Sequence, residues 1–240
     1  MERVCTFGAS ITGERHQLQG RLNDDAWMSG SGRFGSFICV ADGVGSAPNG
    51  RKGAKEACNA VRAVIGMPHV AVNHVGSSLQ EFAKHIESTW IELIKPDLPE
   101  ACATTCLVAW RKPDGTILVG GIGDGMIVAR VDGATRWVVG PPEDKFNSST
   151  VTLGQGRQWD GFETNARSTF QILLATDGVA DDTRPETINE FIDWLIAEIG
   201  ILNGPDRRSR LRHALRKWPT PGSDDDRTLA ILHGASRRIM

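Results

Sequence analysis

An α+β layered domain is what this sequence predicts, and three features of it lead there. Short apolar runs ending at Gly, Asp or Pro read as strands and gather in the middle of the chain. Longer stretches with a 3.6-residue apolar period read as helices, and they flank the strands instead of alternating with them. A doubly wound parallel sheet needs that alternation and is disfavoured, whereas clustered strands covered by helices fit a layered α+β fold.

The strand-like runs are Phe37–Ala41, Thr105–Trp110, Ile117–Ile122, Met126–Val131, Phe170–Ala175 and Thr228–His233. Pro113-Asp114-Gly115 and Asp132-Gly133 are turn signals between neighbouring strands, so the middle of the chain is expected to be an antiparallel meander. Ala54, Ala57, Cys58, Val61, Val64 and Ile65 form one helical stripe. Leu79, Phe82, Ala83, Ile86, Trp90, Leu93 and Ile94 form a second, ending before Pro96. A third runs from Ile188 through Phe191, Ile192, Leu195 and Ile196 to Ile199, with Gly200 as its stop. Leu211, Ala214, Leu215 and Trp218 suggest a shorter fourth, halted by Pro219. Residues 140–165 are the least patterned and are expected to hold long loops. With no repeat or linker, residues 1–240 read as one domain.

Composition excludes several classes. A net charge of −2 gives no global field for nucleic acid or an anionic membrane, and no apolar run is long enough to span a bilayer. The N-terminus has no apolar signal-peptide core, and five cysteines (Cys5, Cys39, Cys58, Cys102, Cys106) show no C-x-x-C or zinc spacing. Reduced, buried thiols in a cytoplasmic protein are expected.

Chemistry enters at the strand ends. Asp42 follows the first strong strand in Val40-Ala41-Asp42-Gly43-Val44-Gly45, and Asp124 lies between two central strands in Gly121-Ile122-Gly123-Asp124-Gly125. Asp177 and Asp181 follow another strand, and Asp224-Asp225-Asp226 lead into the last. A lone Asp-Gly is usually a turn, since the pair suits positive φ. Carboxylates converging from several strand ends repel one another, and hard divalent cations with oxygen preference relieve that best. A pair of such ions can activate water and neutralise charge on a phosphoryl group.

Read together, the motifs resemble those of the protein phosphatase 2C family. Asn23-Asp24-Asp25-Ala26 and Ala41-Asp42-Gly43-Val44-Gly45 are similar to its opening motifs, and Ala103-Thr104-Thr105 to a small-Thr-Thr strand start. Gly123-Asp124-Gly125 stands where the family has Gly-Asp-Ser-Arg. Thr176-Asp177-Gly178 resembles Ser-Asp-Gly, and Asp225-Asp226-Arg227-Thr228 resembles Asp-Asn-x-Thr. These motifs fall in family order along nearly the whole chain, and Gly8–Gly13 with His16 suggest a compact bacterial branch.

The resemblance implies a four-layer α-β-β-α sandwich, two antiparallel sheets flanked by helices, and a metal-dependent serine/threonine phosphatase. It implies two Mn2+ or Mg2+ ions and a third, weaker one. Asp42 would bridge both ions with the Gly43 carbonyl on one of them, and Asp177 and Asp225 would complete the second. Asp124 and Asp181 would serve the third ion, while Asp24 and Asp25 would hold metal-bound water. A metal-bridged hydroxide would attack phosphorus without a phosphoenzyme. The partner would be a phosphoserine or phosphothreonine protein, the target of a bacterial kinase. Departures are Gly20 where the family commonly has a phosphate-gripping arginine, Met126 for the arginine of Gly-Asp-Ser-Arg, and Asp226 for asparagine. Arg21 and Arg15 are the candidates to take over phosphate.

Other readings stand beside this one. A non-catalytic phosphoprotein-binding module would keep the fold without the phosphate-gripping arginine. Gly43–Gly53 nearly spells a P-loop, but Arg51 intrudes and Gly53 stands where Ser or Thr must follow Lys52. No Gly-x-Ser-x-Gly elbow occurs. The histidines (His16, His69, His74, His85, His213, His233) form no metal-binding pair; His85 fits a helix, and His16 alone precedes an acidic motif as a substrate-contact candidate against a structural role. Arg207-Arg208-Ser209-Arg210-Leu211-Arg212 and His213–Lys217 form the basic cluster. Net charge −2 and its apolar stripe favour a solvated helix face over nucleic acid, with an acidic partner as the remaining reading.

Overall fold

The computed structural model describes residues 3–67, 78–140, 150–218 and 223–235. In chain order the elements are β1 (Arg3–Ile11), α1 (Glu14–Leu18), β2 (Ala26–Gly32), β3 (Gly35–Ala41), α2 (Gly50–Gly66) and α3 (Leu79–Ile94). Then come β4 (Cys106–Arg111), β5 (Thr116–Ile122), β6 (Met126–Val131), β7 (Ala134–Val139), β8 (Asp160–Asn165) and β9 (Thr169–Ala175). The chain closes with α4 (Asp177–Ala180), α5 (Ile188–Trp194), a π-helical turn over Leu195–Gly200, α6 (Gly204–Arg216) and β10 (Arg227–Ala235). Two five-stranded sheets form, in the orders β1-β10-β9-β6-β7 and β2-β3-β4-β5-β8. All their pairings are antiparallel.

Strand alternation builds the layers. On β3, Phe37, Cys39 and Ala41 turn to α2 and α3, while Ile38 and Val40 turn to the other sheet. On β4 the split is Cys106, Val108 and Trp110 against Leu107 and Ala109. In the second sheet, Leu173 and Ala175 of β9 and Leu229 and Ile231 of β10 meet α5 and α6. Phe170, Ile172, Leu174, Ala230 and Leu232 meet the first sheet. Both faces of the central strands are therefore apolar, as continuous runs such as Phe37–Ala41 require. The result is the expected α-β-β-α sandwich.

Helix ends follow local chemistry. Ser78 and Glu81 close a reciprocal capping box on α3. Asn203 caps α6, accepting from the Asp206 N–H, with Pro205 in the first turn. That start lies well before the expected Leu211, because the first turns of α6 are mostly polar and show no apolar period. The stop expected at Pro219 lies outside the described residues, as do His69 and His74.

The meander needs correction. β4–β5 and β6–β7 are hairpins at the expected turns, but they belong to different sheets. The chain changes sheets at Gly123-Asp124-Gly125. Gly123 has φ 120°, and a Cβ there would come 2.4 Å from the Thr105 side chain, so glycine is needed for the crossing. Residues 140–165 also hold more than loop, since β8 lies among them as an edge strand that exposes Asp160, Glu163 and Asn165.

Asp132, with φ 50°, ties the β6–β7 turn to the start of β9. Its carboxylate accepts from the N–H groups of Arg167 (2.8 Å), Ser168 (2.7 Å) and Thr169 (3.1 Å) and from the Ser168 hydroxyl (2.9 Å). These donors, Arg167 first, lower its pKa to about 2. A depressed carboxylate pKa stabilises the fold above the unfolded value and loses that contribution as pH falls through the folded one. Asp132→Ala is therefore expected to unfold at lower urea than wild type at pH 7, with the gap closing between about pH 4 and 2. A gap independent of pH contradicts this.

Candidate metal centre

Register brings the acidic strand ends to one end of the sandwich. Ala26 pairs with Ala41, which sets Asp25 beside Asp42 across β2 and β3. Ala175 pairs with both Met126 and Leu229, which draws Asp124, Asp177 and Asp225 to the same end of the other sheet. The main chain at Asp42 is locked. Its N–H donates to Thr105 Oγ1 (2.9 Å), and its carbonyl accepts from the Thr105 N–H (2.9 Å) and the Thr104 hydroxyl (2.7 Å). Gly43 runs against the start of α2, where a Cβ would lie 2.4 Å from the Gly50 carbonyl, so only glycine allows that approach.

Carboxylate oxygens of Asp42, Asp124 and Asp177 lie within 4.8 Å of one another. They line a cavity of ≈150 Å³ together with His16, Gly43, Val44, Gly45, Thr150 and Asp225. Thr150 donates to Asp124 Oδ2 (2.5 Å). Asp25 lies behind Asp42; its Oδ2 accepts from the Thr176 hydroxyl (2.8 Å), while its Oδ1 is buried without a hydrogen-bond partner. Burial raises the Asp25 pKa to about 8, with Asp226 and Asp177 adding to the rise and the Thr228 and Thr176 hydroxyls opposing it. Burial likewise pushes Asp42 well up, and Asp25 and Asp177 push it further.

The remaining predicted residues divide. Asp226, noted in the sequence only as a departure, is a buried hub whose carboxylate accepts from the N–H groups of Gly13 (2.8 Å) and Asp24 (2.6 Å). It also holds His16 Nδ1 at 2.9 Å. An acceptor-only carboxylate places the ring proton on Nδ1. His16 Nε2 is then left buried and without a hydrogen-bond partner, 4.0 Å from Asp24 Oδ2. Arg15 pairs with Asp225, and Arg21 with Asp24 at 2.8 Å, so both candidate arginines lie against site carboxylates. Asp181 is exposed at the end of α4 and does not line this cavity. Thr150, Thr176 and the Asp226 hub went unread in the sequence. Burial of Asp226, Arg227 and Thr228 is visible only in the structure, so the sequence carried no signal for the hub beyond the motif position.

The glycine-rich stretch has another use. Gly50–Gly53 already belong to α2, and Lys52 Nζ donates to the Ile94 carbonyl (2.6 Å) and Asp97 Oδ2 (2.6 Å). Lys52 ties α2 to the end of α3 and is not available to a nucleotide phosphate.

Residues 12–218 match the profile of the family described as protein phosphatase 2C. The chain belongs to that family. No curated protein matches the sequence. The Mycobacterium tuberculosis serine/threonine phosphatase PstP/Ppp superposes with a TM-score of 0.65 at 18% identity, covering 97% of this chain and 98% of its own. A PstP catalytic domain in complex with two manganese ions gives 0.62 at 18%, covering 98% and 100%. RsbX in complex with magnesium gives 0.58 at 13%, covering 98% and 100%.

Departures from the 2C-family motifs have visible consequences. Met126 is fully buried among Val128, Leu173 and Ala175 and supplies core instead of charge. Gly20 is exposed with φ 66°, and open space surrounds the position where its Cβ would be. Clustered carboxylates with raised pKa values destabilise the metal-free fold at neutral pH, because the unfolded chain releases protons that the fold retains. Asp42→Asn is expected to raise the melting temperature of metal-free protein at pH 7.5 and to remove most of the further rise that manganese gives wild type. Scanning calorimetry checks both. A lower metal-free melting temperature in the variant contradicts the repulsion.

Proposed function

We propose that residues 1–240 form one catalytic unit, a manganese- or magnesium-dependent serine/threonine protein phosphatase that hydrolyses phosphomonoesters with water and no phosphoenzyme. The observation that supports it most is the convergence of Asp42, Asp124 and Asp177 from both sheets within 4.8 Å. Fit to a hard cation is testable on the same residues. The donors are all oxygen, Asp25 Oδ1 is buried without a partner, and burial with like charge raises the pKa values of Asp25 and Asp42, a cost that a cation would offset. Asp42, the Gly43 carbonyl, Asp177 and Asp225 would hold the pair of ions, with Asp124 available to a third. When bound, the ions supply Lewis acidity that activates water and neutralises phosphoryl charge.

The chain's own groups then have defined work. Asp25 and Asp24 stand behind the ligands as acceptors that orient water. Arg15 and Arg21, now on Asp225 and Asp24, are the cations within reach of an incoming phosphate once metal satisfies those carboxylates. His16, oriented by Asp226, lines the cavity, and its Nε2 is a buried ring nitrogen without a hydrogen-bond partner beside the acidic groups. The substrate class is a phosphoserine or phosphothreonine protein, the target of a partner kinase. Four thiols in the apolar core suit a reducing, cytoplasmic compartment.

A second reading has one observation in its favour. With Gly20 in the arginine position and Arg15 held on Asp225, the fold would serve as a phosphoprotein-binding regulator. Manganese binding without turnover would select it.

Hydrolysis of p-nitrophenyl phosphate and of a phosphothreonine peptide is expected with manganese or magnesium and not with chelator. Asp42→Asn and Asp177→Asn should reduce it to background, and His16→Ala should cost about 10- to 100-fold, as supporting residues at metal sites do. Turnover that survives Asp42→Asn in folded protein would refute the assignment.

A further inference from the structure

Outside the acidic site, the strongest uncommitted feature is one face of α6. Arg208, Arg212 and Arg216 are exposed and recur every fourth residue, so they drift only ~40° per step and form one stripe. With Gly204, Pro205 and Ser209 they line a groove of ≈570 Å³. Several other basic side chains are already engaged. Arg15, Arg21, Lys52, Lys95, Lys112 and Arg130 pair with carboxylates. Arg207, one residue from the stripe, is committed to the fold through the carbonyls of Gly200 and Leu202 and the Phe7 ring. Among the described residues, the stripe arginines have no ion pair.

A row of like charges at i, i+4 and i+8 opposes helix formation by about 0.2–0.5 kcal/mol per neighbouring pair. Nothing in the packing needs it, since Leu211 and Leu215, on the adjoining face, bury the helix. Successive guanidinium groups are spaced ~6 Å along the axis, close to the ~6.6 Å between alternate residues of an extended chain. Position adds a further argument. α6 packs along β1, and the stretch from Arg216 to Asp225 spans at most about 30 Å even if fully extended.

We propose that this face of α6 docks an acidic, extended segment of the phosphoprotein substrate, with carboxylates at alternate residues, within roughly ten residues of the phosphoresidue. The identity of the segment's owner rests on the phosphatase reading; the binding of an acidic peptide does not. Nucleic acid is the less favoured anion, because the stripe is only ~12 Å long and the chain as a whole is acidic at −2.

The test is fluorescence anisotropy with a labelled Asp-alternating peptide, read without turnover. Wild type is compared with the Arg208→Glu/Arg212→Glu/Arg216→Glu variant and with the corresponding Gln variant, both checked for fold by circular dichroism. Binding should weaken about tenfold in the Glu variant, less in the Gln variant, and should fade with salt as exposed charge pairs do. A phosphothreonine peptide carrying the acidic tract should show a raised KM in the variants with kcat unchanged, while p-nitrophenyl phosphate turnover stays at the wild-type rate. Equal affinity of wild type for acidic and Gln-substituted peptides overturns the proposal. So does tighter binding of a single-stranded oligonucleotide than of the peptide. Loss of p-nitrophenyl phosphate turnover in wild type with peptide binding intact would instead refute the phosphatase reading.

Discussion

Asp42 has to be held beside Asp25 and Asp177 in a half-buried cavity where no carboxylate gains by ionising next to another. Two ionised carboxylates 4.8 Å apart would repel by roughly 3.5 kcal/mol at an effective dielectric of ~20. Only a rigid frame keeps such groups together. The frame is the main-chain lock between Asp42 and Thr104-Thr105, and the pairing of Ala41 with Ala26 and of Ala175 with Met126 and Leu229. The apolar layer between the sheets, from Ile38 and Val40 to Ile172 and Leu174, keeps those strand ends in step. Repulsion among these carboxylates is what a bound divalent ion would relieve, so the arrangement that weakens the metal-free fold would also give it affinity for a cation.

The same frame explains how far the sequence could be read. The six strands visible as apolar runs are interior strands, buried on both faces by the other sheet and by helices. The strands not visible, β1, β2, β7 and β8, are the edges of the two sheets. An edge strand such as Asp160–Asn165 exposes Asp160, Glu163 and Asn165 and buries no residue fully, and one such as Ala26–Gly32 is rich in Gly and Ser, so neither shows a run. The meander misled for a related reason. Periodicity reports which residues are buried, not which sheet buries them, and the sheet change at Gly123-Asp124-Gly125 is carried by a glycine φ that no pattern displays.

At the site, chain order was informative and side-chain direction was not. Asp42, Asp124, Asp177 and Asp225 were legible because each ends or begins a strand, and the structure gathers all of them at one cavity. Asp181 shares the motif with Asp177, yet the short α4 turns it outward. Asp226 read as a substitution for asparagine, and its meaning is the reverse of a loss: an acceptor-only group there gathers Gly13, His16 and Asp24 into one arrangement. Gly20 leaves the family's arginine position without a charge, and Arg15 and Arg21 in the same region are paired with Asp225 and Asp24.

The central claim is that register delivers these carboxylates as one cation centre. Anomalous diffraction at the manganese edge, from crystals of the full chain grown with manganese, tests it most directly. Two peaks are expected inside the cavity, both beside Asp42 and one beside Asp177. Peaks confined to the group of His16, Asp225 and Asp226, or none in the cavity at saturating manganese, would contradict it.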